Sequence, residues 1–325
     1  MRASLDTAGV RLSVRCDLDW AARLIAEGSA GELRGPDVHA AATVHVEADR
    51  RPFDTSGQRL LTRGAWERDG ELVLTDVCTT GFDLRVTHDA DGPVFTFRWR
   101  PRPRSRAAAW ALRSRFHLLV RAALIQFPAL WWASVLGRAP LHASAVETAG
   151  GSLLVAAPSG VGRSTLLIHE LKAGGRATGD NLGVSDGETV WGLVEPIRVD
   201  GAAGGRRMPH GRREMPLAAR AESLRPGAVV VLERSDSASS ALVPCAADAA
   251  ARTLVTSTYM AGELRRFWPL AAELAAGTGR GPAHPHVAEV ATGLTSALPC
   301  WTLRLGRDGA RLRELMAAQG EPAWA

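Results

Sequence analysis

The chain almost lacks lysine. Lys172 is the only one in 325 residues, although Lys and Arg together number 39, so nearly every base is a planar, permanently charged guanidinium. Alanine and glycine are correspondingly frequent, which is the residue usage of a GC-rich coding sequence. The net charge of +5 therefore reads as composition. A nucleic-acid partner would need a local basic stripe, and none is expected. The four cysteines, Cys16, Cys78, Cys245 and Cys300, are far apart and form no C-x-x-C pair. That excludes a zinc ribbon or a disulfide framework and fits a reducing, cytoplasmic setting. The opening residues, Met1-Arg-Ala-Ser-Leu-Asp6, lack the apolar core of a signal peptide. Long apolar runs are missing too. The most apolar stretch, 122–136, contains Gln126 and Pro128 and falls short of the roughly 20 residues that span a bilayer. It reads as a buried helix, and no membrane is expected.

Apolar residues make up 46% of the chain and charged ones 22%, as in globular domains. The length suits one large or two ordinary domains. Residues 1–104 read as a small, mostly β domain. A helix is expected over 17–27, followed by strand-like runs at 42–46, 60–66, 72–77, 82–86 and 94–99. Asp69-Gly70 and Asp91-Gly92 suggest hairpins and an antiparallel sheet. Residues 105–137 form a helical connector, entered through the basic 101–106 segment, with Pro128 expected to break or kink it. From 138 to 325 the pattern becomes strand, loop and helix. Strands are expected at 143–147, 152–156, 228–234 and 298–305, and helices at 247–256, 261–276 and 309–319.

Chemistry concentrates in 153–171. An apolar strand, 153–157, runs into Pro158-Ser-Gly-Val-Gly162 and then into a helix from Ser164. Strand, glycine turn and helix is the setting of a phosphate-binding loop, Gly-x-x-x-x-Gly-Lys-Ser/Thr. Gly162 and Ser164 fit that consensus, while Ala157 replaces its first glycine and Arg163 its lysine. Backbone N–H groups at a helix start cradle phosphates, and glycines let the backbone come close. Ser159, Gly160, Val161, Gly162, Arg163, Ser164 and Thr165 are the expected nucleotide-binding residues. The Ser164 hydroxyl suits Mg²⁺, and Arg163 keeps a charge near the phosphates in a different shape. Two further features flank the loop: His142 in Pro140-Leu-His-Ala-Ser144, and Asp180-Asn181 in Thr178-Gly-Asp-Asn-Leu182.

His142, the loop and Asp180, in this order, resemble the catalytic domain of HPr kinase/phosphorylase. That family has a His–Gly strand, a phosphate loop and an Asp–Asp pair at closely similar spacing. The chain also resembles divergent kinase-like proteins of that fold found near genes for modified peptides, some of which phosphorylate a serine of a precursor peptide. The resemblance covers 141–305 and is strongest over 141–198. Residues 1–104 bear no likeness to the HPr kinase N-terminal domain.

The resemblance implies an α/β fold with a P-loop core of the HPr kinase type over 138–325, using ATP and Mg²⁺. The acceptor would be a serine or threonine hydroxyl on a peptide or small protein, and an oligomer is compatible with it. Asp180 matches the base that acts on the acceptor hydroxyl, and His142 the histidine near the transferred phosphate. Ser164, Asp180 and Asn181 would face the metal, with Asn181 replacing the family's second aspartate. Glu233, ending an apolar strand, is expected to be structural. Arg206, Arg207, His210, Arg212 and Arg213 form an arginine-rich loop that would hold the acceptor or the moving phosphate, or else be a solvated surface. Two alternatives stay open: a small-molecule kinase on the same fold, and a non-catalytic nucleotide-binding accessory protein. The changes at positions 163 and 181 favour the latter, and the retained Asp180, His142 and Ser164 oppose it.

Overall fold

Apolar and polar residues alternate through Val10–Cys16, with one side of the strand buried, as a sheet packed on one face requires. In the computed structural model, which describes residues 1–37, 39–200, 204–208, 211–309, 312 and 314, the chain is a mixed α/β protein. It divides into two compact units. The first holds residues 1–137 and 266–284, with Met208. The second holds the rest of 138–265, and the residues from Pro285 onward.

The first unit is built on an eight-stranded sheet. In spatial order the strands are Arg2–Thr7, Val10–Cys16, Ala42–Glu47, Pro93–Trp99, Phe82–His88, Glu71–Leu74, Ala65–Arg68 and Arg59–Thr62. The pairs are antiparallel except that Ala42–Glu47 runs parallel to both its neighbours. Helix Asp19–Gly28 makes the crossover that a parallel pair needs. Asp69 and Gly70 both have positive φ, the two-residue hairpin expected of Asp-Gly. Two strands were not foreseen, Arg2–Thr7 and Val10–Cys16. Their turn is Ala8-Gly9, again with positive φ at both positions, and alanine there gives no turn signal. The single run expected at 60–66 is two strands, because Gly64 (φ +86°) reverses the chain.

The connector is helical over Pro103–Ala111, Arg113–Arg121 and Phe127–Val135. Between the last two, Ala122–Gln126 is a π-helical turn, and Phe127 N–H donates to the Ala122 carbonyl. Shifting the register by one residue just before Pro128 accommodates the imino nitrogen without ending the helix. The continuous helix 113–135 is thus long and apolar enough to cross a membrane, whereas the sequence suggested a shorter run. Its most apolar window is 72% buried in the protein.

The second unit contains a six-stranded sheet. Its order is Arg176–Ala177, Ala143–Thr148, Gly151–Ala156, Ala228–Arg234, Cys300–Leu305 and Ala241–Pro244. The three strands Gly151–Ala156, Ala228–Arg234 and Cys300–Leu305 are mutually parallel and the outer pairs antiparallel. Leu153, Val155, Val230 and Leu232 pack with Leu166 and Leu167 of helix Arg163–Lys172. The alternate residues of the same strands face the other side, where helix Ala247–Met260 packs. Burial on both faces explains the unbroken apolar run at 228–232. The helix expected over 261–276 begins only at Phe267, after a turn carrying Glu263. Helix Val287–Ala297 was not foreseen. The closing helix expected over 309–319 lies almost wholly outside the described residues.

Candidate functional site

Strand Gly151–Ala156 ends at the glycine turn, and helix Arg163–Lys172 begins directly after it. Gly160 (φ +85°) and Gly162 (φ +120°) take left-handed backbone conformations that other residues adopt only with strain. Pro158, Ser159 and Gly160 are exposed, and a Cβ on Gly160 would meet nothing within 4 Å. The turn therefore presents its backbone to open space. It lies at one wall of a cleft of about 540 Å³, whose lining includes Ser159, Gly160, Gly162, Arg163, Ser164 and Thr165. Of the nucleotide-binding residues expected from the sequence, Val161 is the exception, since its side chain packs on the apolar core.

Arg163 does not reach outward. It is buried and folds back between the strand head at residue 142 and the segment 178–182. Its Nε donates to the Asp180 carbonyl (3.2 Å) and its Nη1 to the His142 carbonyl (2.8 Å). Nη2 donates to the Asn181 carbonyl (3.3 Å) and to Asn181 Oδ1 (2.7 Å), and lies 2.9 Å from His142 Nε2. Five polar contacts on one guanidinium make it a clamp, a geometry an ammonium cannot reproduce. From the sequence this charge is expected near the phosphates; the guanidinium lines the cleft while engaged with residues 142, 180 and 181.

The clamp joins the residues that the sequence placed together. His142 is buried beside the cleft, and its main-chain N–H donates to Thr258 Oγ1 (3.0 Å). Burial first, and then the Arg163 charge, push its pKa down to about 4, so the ring is neutral near pH 7. Nε2 lies 2.9 Å from both Arg163 Nη2 and Asn181 Oδ1. A guanidinium can only donate, so a ring with its proton on Nδ1 suits Arg163, while one protonated at Nε2 suits Asn181. Asp180 is also buried. One carboxylate oxygen accepts the Arg198 backbone N–H (3.4 Å). Among the described residues, His142 Nδ1, Asp180 Oδ1 and Asn181 Nδ2 have no hydrogen-bond partner. Three such buried orphans on consecutive or touching residues are uncommon in a settled core. Asp180 itself does not line the cleft; its neighbours His142, Asn181 and Arg198 do.

The segment bearing Asp180 is pinned along its length. Thr178 N–H donates to the Ala145 carbonyl, Ser144 Oγ to the Gly179 carbonyl, and Leu182 N–H to Glu195 Oε1 (3.2 Å). Gly192 lies so close to the Thr178 carbonyl that a Cβ there would overlap it.

Sequence reading missed several charged neighbours. Arg198 donates to Glu263 (2.9 Å) and approaches Glu195 (4.0 Å). Arg234 and Glu263 also line the cleft. Only the Glu195-Pro-Ile-Arg198 flank hinted at this network, because Glu263 arrives from a turn more than sixty positions later. Glu195 is buried. Burial pushes its carboxyl up to about 7, against Arg198 and with help from Asp180 and Glu263.

Glu195 and His142 titrate in opposite senses. For His142 the folded-state pKa of about 4 lies below the ordinary 6.5. The unfolded chain therefore takes up the extra proton between these values, and stability falls as pH falls. For Glu195 the folded value of about 7 lies above the ordinary 4.5. The folded chain holds the extra proton there, and stability falls as pH rises. Relative to wild type, Glu195→Gln should gain stability as pH rises from 4.5 to 7. His142→Asn should gain it as pH falls from 6.5 toward 4, each by at most about 1.4 kcal/mol per pH unit. Urea unfolding of the three proteins across pH measures both slopes; parallel curves would refute the assignment.

The arginine-rich segment is not one open loop. Arg206–Arg207 and Arg213–Met215 are strands of a small antiparallel sheet with Ile197–Val199. Arg212 lines the cleft and pairs with Asp200 (3.3 Å). Arg213 bonds the Gly205 carbonyl, and Arg206, Arg207 and Arg213 are not among the cleft-lining residues. His210 lies outside the described residues. Glu233 is exposed near the end of its strand and is not among the cleft-lining residues. Among the described residues, no three His, Cys, Asp or Glu side chains group as a metal cage. No family model matches the chain, and no curated protein matches it either.

Proposed function

We propose that the chain is an ATP-dependent phosphotransferase, a P-loop kinase of the HPr kinase type acting on a serine or threonine hydroxyl of a peptide or small protein in the cytoplasm. The observation that carries the reading is the meeting of an outward-facing glycine turn with buried, partnerless polar atoms of His142, Asp180 and Asn181. ATP and Mg²⁺ fit the donors present. Backbone N–H groups around 160–164 suit phosphate oxygens, and the Ser164 hydroxyl on the cleft wall suits a hard cation that keeps most of its water. When bound, ATP supplies the phosphoryl group and Mg²⁺ neutralises charge on it.

The protein's own part is positioning. Asp180 Oδ1 accepts the proton of the acceptor hydroxyl, because Oδ2 is already engaged by the Arg198 backbone. His142, neutral and clamped at Nε2, offers its Nδ1–H as a fixed donor. Arg212 stands on the cleft wall, where an acidic acceptor would approach. A second reading, the nucleotide-binding accessory protein, is favoured by one observation: the guanidinium at the lysine position is turned away from the turn's open side.

Gly160→Leu tests the shared premise. Its side chain would project into open space rather than into the fold. Calorimetric titration should show Mg·ATP affinity reduced by roughly tenfold or more. Equal binding by both proteins would remove the nucleotide site. Normal binding by wild type without transfer to any hydroxyl acceptor would leave the accessory reading.

A further inference from the structure

We infer that Arg234, and not the residue at the lysine position, supplies the cation that meets phosphate at the glycine turn. The inference rests on the phosphate-binding reading above and adds a ligand residue to it.

Arg163 has no free reach. Turning it toward the turn would strip the buried carbonyls of His142 and Asp180 of their donors, and unsatisfied buried groups are costly. Arg234 is placed differently. It ends the strand Ala228–Arg234, which is hydrogen-bonded in parallel to the strand that feeds the turn. Both strands therefore end at the same sheet edge, where ligands of open parallel sheets bind. Its Nη2 lies 3.5 Å, and its Cζ 3.9 Å, from the point a Cβ on Gly162 would occupy. Leu305, its register partner on the next strand, reaches the same point at 3.5 Å. The guanidinium thus rests beside the backbone that begins helix Arg163–Lys172, and it lines the cleft with Ser159, Gly160, Ser164 and Thr165.

The charge is also uncommitted. The Arg234 side chain is exposed and, among the described residues, forms no hydrogen bond or ion pair. By contrast Arg163, Arg198 and Arg212 all have partners. A planar fork with free N–H groups beside a helix N-terminus matches phosphate oxygens two at a time. The site does not stand on the helix terminus alone, because His142, buried and lining the same cleft, keeps Nδ1 unpaired. The chemistry is that of a polyphosphate, with Arg234 replacing the missing lysine by approaching from the neighbouring strand.

Inorganic tripolyphosphate isolates this contact from the base and ribose. Its affinity for the full-length protein would be measured by calorimetry at several salt concentrations, for wild type, Arg234→Gln, Arg234→Lys and the control Arg252→Gln. Arg252 sits on helix Ala247–Met260, paired with Asp248, away from the cleft lining. Arg234→Gln should weaken binding by about 10- to 100-fold, as expected for a charge-assisted contact, and should flatten its salt dependence. Arg234→Lys should recover part of the loss, and Arg252→Gln should match wild type. Wild-type binding that Arg234→Gln leaves unchanged would overturn this assignment alone. A wild type that binds no tripolyphosphate would overturn the phosphate reading and the assignment together.

Discussion

Asp180→Asn is expected to keep Mg·ATP affinity within about twofold and to lower phosphotransfer by roughly 10²–10⁴, the usual contribution of a general base. The change is nearly isosteric, and the contact between Asp180 and the Arg198 N–H survives through the remaining amide oxygen. What disappears is the acceptor oxygen without a partner, Oδ1. Asn181 next to it cannot compensate, because its Oδ1 already receives Arg163 and an amide carries no charge. The measurement is paired: affinity by calorimetry and transfer rate on one preparation. Full turnover in Asp180→Asn would discard the carboxylate as base and leave the accessory-protein reading ahead.

The second large effect is on stability. Arg163→Met replaces the clamp by an apolar side chain of similar length, leaving the carbonyls of His142 and Asp180 without donors. It also removes the buried positive charge facing Asp180, Glu195 and Glu263. Taking one member from such a buried set costs on the order of 3–5 kcal/mol, and urea unfolding should show the midpoint fall accordingly. Arg163→Lys should recover little, since one ammonium cannot span acceptors on residues 142, 180 and 181. That outcome separates the clamp from a lysine substitute. A substitute would gain activity on return to lysine, whereas a clamp would lose it. An unchanged urea midpoint for Arg163→Met would show that these five contacts carry no weight.

Local signals made the turn and its helix legible, because an apolar run, two close glycines and a helical pattern follow one another within 153–171. His142 and Asp180 were found by their order around that turn, and the structure brings both to Arg163. The direction of Arg163 was not legible. A side chain at a helix start turns outward or inward according to which acceptors are buried nearby, and those acceptors are backbone carbonyls, which every sequence has. Arg234 and Glu263 were missed for a related reason. Arg234 ends a strand and Glu263 lies in a turn; each is an ordinary charged residue, and only the strand order and the turn before Phe267 bring them to the cleft. The hairpin at Ala8-Gly9 escaped because alanine seldom accepts positive φ.

The chain's single lysine has a practical consequence. Nucleotide-binding enzymes are often surveyed with acyl-phosphate derivatives of ATP, which acylate an amine lying beside the bound phosphates. Lys172 closes the helix that Arg163 opens, roughly 13 Å along its axis at 1.5 Å per residue. Such a reagent would find no lysine amine at the turn, so the proposed nucleotide site would escape a survey of that kind. Dicarbonyl reagents such as phenylglyoxal attack guanidinium groups instead. With Arg163 buried and Arg234 exposed, Arg234 is open to them, and under the proposed nucleotide-binding function ATP would protect it.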